Sequence, residues 1–311
     1  MYIIVSLFLG IALAVFILAF ATYKMIFSYG NGKCVDIYKG LDGEETDRKK
    51  ESRAAIQRLE ATPFEKAETT AFDGKKLFGR YFHKSDTAPT VIAFHGYKSA
   101  SLRDMARISI EFEALGYNML LADHRSHGKS EGEKISFGAR EKYDVLAWVD
   151  YINSRFSNPK IFLYGISMGA STVLMASALP SLENVRGIIA DCPYSSPDAI
   201  IKEVMKNRKY PASLLFPFIR LGGIIFGGFD VKLHSATEAV KNTDIPILLI
   251  HGEGDSFVPP SMSEEIYNAG KSKNKNISIV KIPEATHTLS IMFDRETYVK
   301  SLTDFIDKAK E

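Results

Sequence analysis

Ser167 stands at the centre of Gly165-Ile166-Ser167-Met168-Gly169, with an apolar run before it (161–164) and a helix-like run after it (170–178). A serine hydroxyl is a weak nucleophile at neutral pH. It needs a histidine to take its proton and a carboxylate to orient that histidine. A strand, a sharp turn and a helix would hold the hydroxyl clear of the backbone, and glycines two residues to either side let strand and helix approach closely. The pattern therefore suggests acyl transfer, and the partners are sought downstream in the order Ser, Asp or Glu, His.

Both are present. Pro246 to Gly252 reads as a buried strand, and Glu253-Gly254-Asp255 follows it. Residues 277–282 read as the next strand, and the loop after it, Pro283-Glu284-Ala285-Thr286-His287, carries a histidine. Loops past the C-terminal ends of parallel strands gather at one edge of a sheet, where open α/β folds place their sites. The chain has 7 histidines, so elimination is practical. His83 falls in an early strand and His234 in an insertion. His95 and His251 precede glycines at strand ends, where a ring packs or bonds to backbone, and His124 and His127 share one loop. His287 alone follows the last core strand. Glu284 shares its loop with His287 and is a weaker orienting acid. Asp191, after the strand 187–190, is the serious rival to Asp255, which could itself be a turn former beside Ser256 and Pro259.

The negative oxygen of an acyl-transfer intermediate needs backbone N–H donors. One is expected from Met168, after the nucleophile, and the second from the loop after the third strand. Residues 91–94 read as that strand, and His95-Gly96-Tyr97 follows, which makes the Tyr97 N–H the second expected donor.

These residues must be carried by a substantial fold. The 311 residues suffice for one large α/β domain with additions. A hydrophobic content of 46% and a charged content of 24% are ordinary for a globular protein. The net charge of +2 leaves no basic footprint for nucleic acid. Cys34 and Cys192 suggest neither a disulfide framework nor a metal cage. His124-Arg125-Ser126-His127 lacks the further ligands a metal would require. No metal and no cofactor is expected.

Residues 2–23 carry no charged side chain, and a run of roughly 20 apolar residues can cross a bilayer as a helix. No Lys or Arg precedes the run, and it exceeds the roughly 7–15 residue core of a signal peptide, which favours a retained anchor over the cleavage site suggested by Ala19-Phe20-Ala21. Lys24, Lys33 and Lys39 follow it, so the charge bias places the catalytic domain on the cytoplasmic side. The expected organisation is an anchor at 1–23, a charged juxtamembrane spacer at 24–62, helical from about 42 to 59, and a catalytic domain at 63–311.

Within that domain a hairpin (68–72 and 76–82) precedes alternating strands (91–94, 118–122, 161–164, 187–190, 245–250, 277–282) and helices (102–115, 139–156, 168–178, 261–269, 297–309). Near-continuous apolar strands between helices predict a mostly parallel central sheet covered on both faces. The alternation breaks between 193 and 244. That stretch reads as a helical cap over the sheet edge. Its apolar run from Leu214 to Phe226 is interrupted by prolines and glycine pairs, which argues against a second membrane span. The run either packs the cap or lines an acyl pocket.

With these features the sequence resembles an α/β-hydrolase of the serine-aminopeptidase-like and lysophospholipase-like group, in its bacterial membrane-anchored form. The likeness covers about residue 63 to the C-terminus. It rests on His95-Gly96-Tyr97, the stretch Asp123 to Gly132, the Ser167 pentapeptide, His251 to Pro259, and Ala285-Thr286-His287. Such families usually read Asp-x-Arg-Gly-His-Gly-x-Ser where this chain has Asp123 to Ser130, so Ser126 replaces a glycine and His127 reads as a loop organiser. The resemblance implies Ser167, Asp255 and His287 as the triad. The expected function is a serine hydrolase of carboxylic, lipid-like esters. An amide-cleaving peptidase and a non-catalytic tethered binding protein are the competing readings.

Overall fold

The computed structural model describes residues 2–30, 35–41, 46–273 and 275–310. Lys33, Cys34 and residues 42–45, the start of the expected charged helix, lie outside them. The chain runs α1 (Tyr2–Ile26), α2 (Asp47–Ala61), β1 (Glu65–Thr70), β2 (Lys76–Phe82), β3 (Thr90–Phe94), α3 (Ser101–Ala114), β4 (Asn118–Ala122), α4 (Glu141–Arg155), β5 (Ile161–Ile166), α5 (Met168–Ala176), β6 (Val185–Asp191), α6 (Pro197–Asn207), α7 (Ala212–Gly222), α8 (Ala236–Ala239), β7 (Ile247–Gly252), α9 (Pro260–Lys271), β8 (Ile277–Ile282), α10 (Ser290–Phe293) and α11 (Arg295–Lys310).

The eight strands form one sheet in the order β1-β2-β4-β3-β5-β6-β7-β8. β1 and β2 pair antiparallel, as does β2 with β4, and β3 to β8 run parallel. Alternate strand side chains point to opposite faces, so each central strand feeds two cores. Ile92, Leu163, Ile188 and Leu249 pack on one side with Trp148, Val173 and Ile266. Val91, Phe162, Ile189 and Leu248 pack on the other with Met105, Phe112, Tyr298 and Leu302. Helices on both faces cover strands that are apolar throughout, which is why those strands show no polar alternation in sequence.

The charged segment expected to act as a spacer has one apolar side. Thr46 caps α2, and Ala55, Ile56 and Leu59 are buried in the same core as Phe112 of α3. Charge density concealed a three-residue stripe at helical spacing.

The insertion is helical, but its apolar run is not interrupted where expected. α7 passes through Pro217 and continues across Gly222 and Gly223 into a π-helical turn, Gly223–Gly227. Gly222 has a specific neighbour, since a Cβ there would strike the Ala19 carbonyl oxygen of α1. The C-terminal end of α1 is thus part of the folded unit. Ala19, Tyr23 and Phe27 are buried, and Phe27 meets Phe137 and Phe229 edge-on at 5.9 and 5.1 Å. The chain after α1 also pairs with the loop after β4 through Ser28 and Lys134.

Candidate active site

β5 ends at Ile166 and α5 begins at Met168, so one residue makes the whole turn. That residue, Ser167, has φ 55° and ψ −115°, a region unfavourable for any residue with a Cβ. Gly169 makes the turn possible, because a Cβ there would overlap the carbonyl oxygen of Phe94 at the end of β3. A Cβ at Gly165 would likewise overlap the backbone of Gly169.

The Ser167 Oγ lies 2.9 Å from His287 Nε2, and His287 Nδ1 lies 2.6 Å from Asp255 Oδ2. The three come from the loops after β5, β7 and β8. The other Asp255 oxygen accepts the N–H groups of Phe257 and Val258, both at 2.9 Å, which locks the carboxylate plane towards the ring. Burial alone would raise the Asp255 carboxyl. Hydrogen bonds from His251 and His287, the nearby His287 ring and the Val258 N–H outweigh it and hold the group well below the usual carboxylate range.

Comparison with known proteins bears on the fold that carries these residues. A family model described as serine aminopeptidase, S33, matches residues 85–226, and one described as the prolyl oligopeptidase family matches 229–311. The protein YqkD of Bacillus subtilis (strain 168) is 28% identical over 269 residues, 86% of each chain. Caffeoylshikimate esterase of Arabidopsis thaliana is 24% identical over 66% of this chain and 73% of its own. The Pyrococcus furiosus esterase Pf2001 superposes with a TM-score of 0.67 at 24% identity, covering 91% of this chain and 98% of that one.

The chain has the α/β-hydrolase fold.

The matching family models and the esterase neighbours support hydrolase activity. In this hydrolase the N–H groups of Met168 and Tyr97 donate no hydrogen bond among the described residues, so both remain available to an incoming oxygen. Met168 opens α5, where helix geometry leaves the first N–H groups free. Tyr97 follows Gly96, whose α-carbon lies close to Ser167. A Cβ built on Gly96 would sit 3.5 Å from the Ser167 Cβ. The loop is held at several points. Asp104 accepts the Gly96 N–H at 2.8 Å and the Ser99 hydroxyl at 2.6 Å. His127 Nε2 accepts the Lys98 N–H at 3.1 Å, and Lys98 has φ 51°. The Tyr97 hydroxyl donates to the Ile26 carbonyl at 2.7 Å, and its ring stacks on Phe137. His127 therefore organises the loop, and burial, with His95 beside it, depresses the ring well below its ordinary value and keeps it neutral.

Asp191, the rival acid, faces elsewhere. Its oxygens accept the hydroxyls of Tyr298 at 3.0 Å and Ser290 at 3.3 Å. Burial pushes its carboxyl up to about 6, partly offset by Tyr298 and by the nearby His251 and His287 rings. Sequence reasoning did not single out His251. It stands 3.4 Å from Asp255, and its ring is fixed by Ser263 at 2.6 Å and the Val258 carbonyl at 2.9 Å. The four-residue spacing of His251 and Asp255 was the available signal. Glu284 has φ 58° and shapes the loop before His287.

Ser126 has φ 67°, which explains why a glycine is usual at that place. Its hydroxyl donates to the Lys134 carbonyl and accepts the Lys134 N–H, both at 2.8 Å. The one group of described residues whose ligand atoms lie close enough for a metal is Cys192, Asp255 and His287, within 4.8 Å. Burial raises the Cys192 thiol well above its ordinary value, so it is protonated at neutral pH, and Asp255 and His287 already bond to each other. A proton relay fits these atoms better than a metal does.

Proposed function

We propose that the protein is a serine hydrolase that cleaves carboxylic esters, lipid-like ones in particular, through an acyl-enzyme. The observation that carries this reading is the continuous hydrogen-bond chain from Ser167 Oγ through the His287 ring to Asp255, at 2.9 and 2.6 Å. His287 takes the Ser167 proton as the oxygen attacks the ester carbonyl. The N–H groups of Met168 and Tyr97 hold the developing oxyanion. Asp255 keeps Nδ1 protonated and stabilises the imidazolium. His287 then returns the proton to the departing alkoxide, and a water molecule releases the acyl group by the same route. No cofactor enters.

α1 is 25 residues long with a mean hydropathy of 3.0 in its most apolar window. We read it as a membrane anchor, with the domain of residues 63–311 and its cap at about 193–244 on the cytoplasmic side. The segment between anchor and domain packs on the domain. The contacts of Ala19 with Gly222 and of Phe16 and Phe20 with Phe226 favour retention over cleavage after Ala21, because removal would open an apolar face.

A p-nitrophenyl ester assay tests the nucleophile. Ser167→Ala should lower turnover by about three or more orders of magnitude and abolish fluorophosphonate labelling, whereas retained activity would remove Ser167 from its role. A second reading, amide hydrolysis, draws on the peptidase descriptions of the two matching families. Comparing turnover of a monoacylglycerol with that of an aminoacyl amide separates the two.

A further inference from the structure

We propose that α7 and the π-helical turn after it are immersed in the lipid bilayer beside α1, so that the cap rides in the membrane surface. This rests on the reading of α1 as a membrane helix and adds to it a second lipid-contacting element.

The argument begins with depth. Lys24 is the first charged residue of α1. The Phe226 ring, in the π-helical turn, lies 5.1 Å from the Phe20 ring and 5.2 Å from the Phe16 ring. Those residues and Tyr23, whose ring lies 5.6 Å from that of Phe226, precede Lys24 by one to eight positions, which at the helical rise puts Phe226 about 2–12 Å to the apolar side of that charge. Gly222 lies one turn earlier, against Ala19. If α1 is in lipid at Phe16, so is the end of the cap helix.

The surface chemistry agrees. Leu214, Pro217, Phe218, Leu221 and Ile225 fall at i, i+3, i+4, i+7 and i+11, one stripe of a continuous helix. Leu214, Ile224 and Ile225 are 63%, 44% and 50% exposed. On the opposite face Phe216 and Ile219 are buried in the apolar cluster beneath the cap, and Gly222 is buried against α1. The stripe carries no charge, and the one ion on α7, Arg220, is paired with Asp230 at 2.7 Å. Exposed apolar side chains of this size, continuous with those of α1, form a patch that water does not favour. Lys134 donates to the carbonyls of Phe226 and Gly227 and holds the end of the turn against the loop after β4.

Charge marks the rim. Exposed Lys206, Arg208 and Lys209 precede α7, followed by exposed Tyr210. A cleft of about 750 Å³ between α6 and α7 is lined by Lys202, Lys206, Lys209, Tyr210 and Phe216. Lys202 and Lys206 are paired with Asp198 and Glu203, and Arg208 and Lys209 make no ion pair among the described residues. Cations and a tyrosine beside an apolar stripe suit the anionic headgroup layer of a bilayer. The same cap cluster includes Met168, so immersion would bring the entrance of the site to the lipid surface.

The test uses the full chain in vesicles of phosphatidylcholine and phosphatidylglycerol, with and without acyl chains brominated near mid-depth. The single native tryptophan, Trp148, is buried and supplies a constant background. Ile225→Trp and Ile224→Trp probe the exposed apolar surface of the turn, Ile17→Trp probes α1, and Phe156→Trp, near the opposite edge of the sheet, is the control. Near-ultraviolet circular dichroism checks folding of each variant. Immersion predicts that Ile225→Trp and Ile17→Trp each lose at least about half of their added emission to the bromines, and that Phe156→Trp loses none. Ile224→Trp serves if Ile225→Trp misfolds. If Ile17→Trp is quenched but neither turn position is, the proposal is overturned and the anchor stands. If Ile17→Trp is also unquenched, the anchor reading falls first and the proposal with it.

Discussion

Two aspartates at neighbouring strand ends, Asp191 and Asp255, should respond in opposite ways to loss of charge. Burial pushes the Asp191 carboxyl from 3.8 to about 6. A displacement of roughly two pKa units corresponds to about 3 kcal/mol. The folded state holds this proton more tightly than the unfolded chain does. Stability from this group is therefore greatest at low pH and declines as pH rises from 3.8 through about 6, above which the cost of burying the charge is complete. Asp191→Asn keeps the shape and removes the charge, and an amide can still meet the Tyr298 and Ser290 hydroxyls. The variant should match wild type near pH 4 and exceed it near pH 8 by up to about 3 kcal/mol. For a domain of this size that is a Tm increase on the order of 5–10 °C, read by thermal unfolding in detergent. Its kcat/KM should stay within about tenfold of wild type. Asp255→Asn should show the reverse. It places an amide where His287 Nδ1–H donates, which favours the wrong tautomer and should cost about 10⁴ in kcat with no gain in stability. A destabilised Asp191→Asn at pH 8 would refute the burial argument. Loss of hydrolysis in Asp191→Asn comparable to that in Asp255→Asn would make Asp191 the orienting acid.

Ser126→Gly sets two effects against each other. Relief of the left-handed conformation is worth about 1 kcal/mol, whereas the hydroxyl makes two hydrogen bonds of about 1 kcal/mol each. A net loss near 1 kcal/mol is expected in urea unfolding, and a gain would show that the hydroxyl contributes little. His124 is fully buried, neither ring nitrogen has a hydrogen-bond partner, and burial with the His95 and His127 rings depresses it well below its ordinary 6.5. The folded state then binds fewer protons than the unfolded chain below about pH 6.5, so stability falls as pH drops through that range. His124→Phe should give a flatter Tm between about pH 5 and 7. An unchanged slope would assign the acid sensitivity to other groups.

Much of this architecture could be read in the linear chain because it depends on neighbours in sequence. β4 begins and ends where the pattern predicts, at Asn118–Ala122, since a strand buried on both faces is apolar over most of its length, and β8 (Ile277–Ile282), an edge strand with Ser278 and Lys281 exposed, was legible through its β-branched residues. The Ser167 elbow was visible for a similar reason. One residue must make the turn, and the two glycines that permit it lie within two positions. His287 was reachable by elimination because histidines are few and the site belongs at the C-terminal strand ends.

What the chain could not disclose depends on residues distant in sequence. Asp191 closes β6 and Asp255 lies just past the end of the adjacent β7, and only the folded chain turns the second towards His287 and the first towards Tyr298 and Ser290. The buried stripe of α2 was hidden by its charges. The continuity of α7 was hidden by Pro217 and Gly222-Gly223, residues that end an isolated helix but are tolerated where tertiary contacts hold it. The docking of α1 against the cap was invisible for the same reason. Its apolar composition reports a preference for leaving water, which lipid and protein satisfy alike, and only the folded chain shows which side chains meet which.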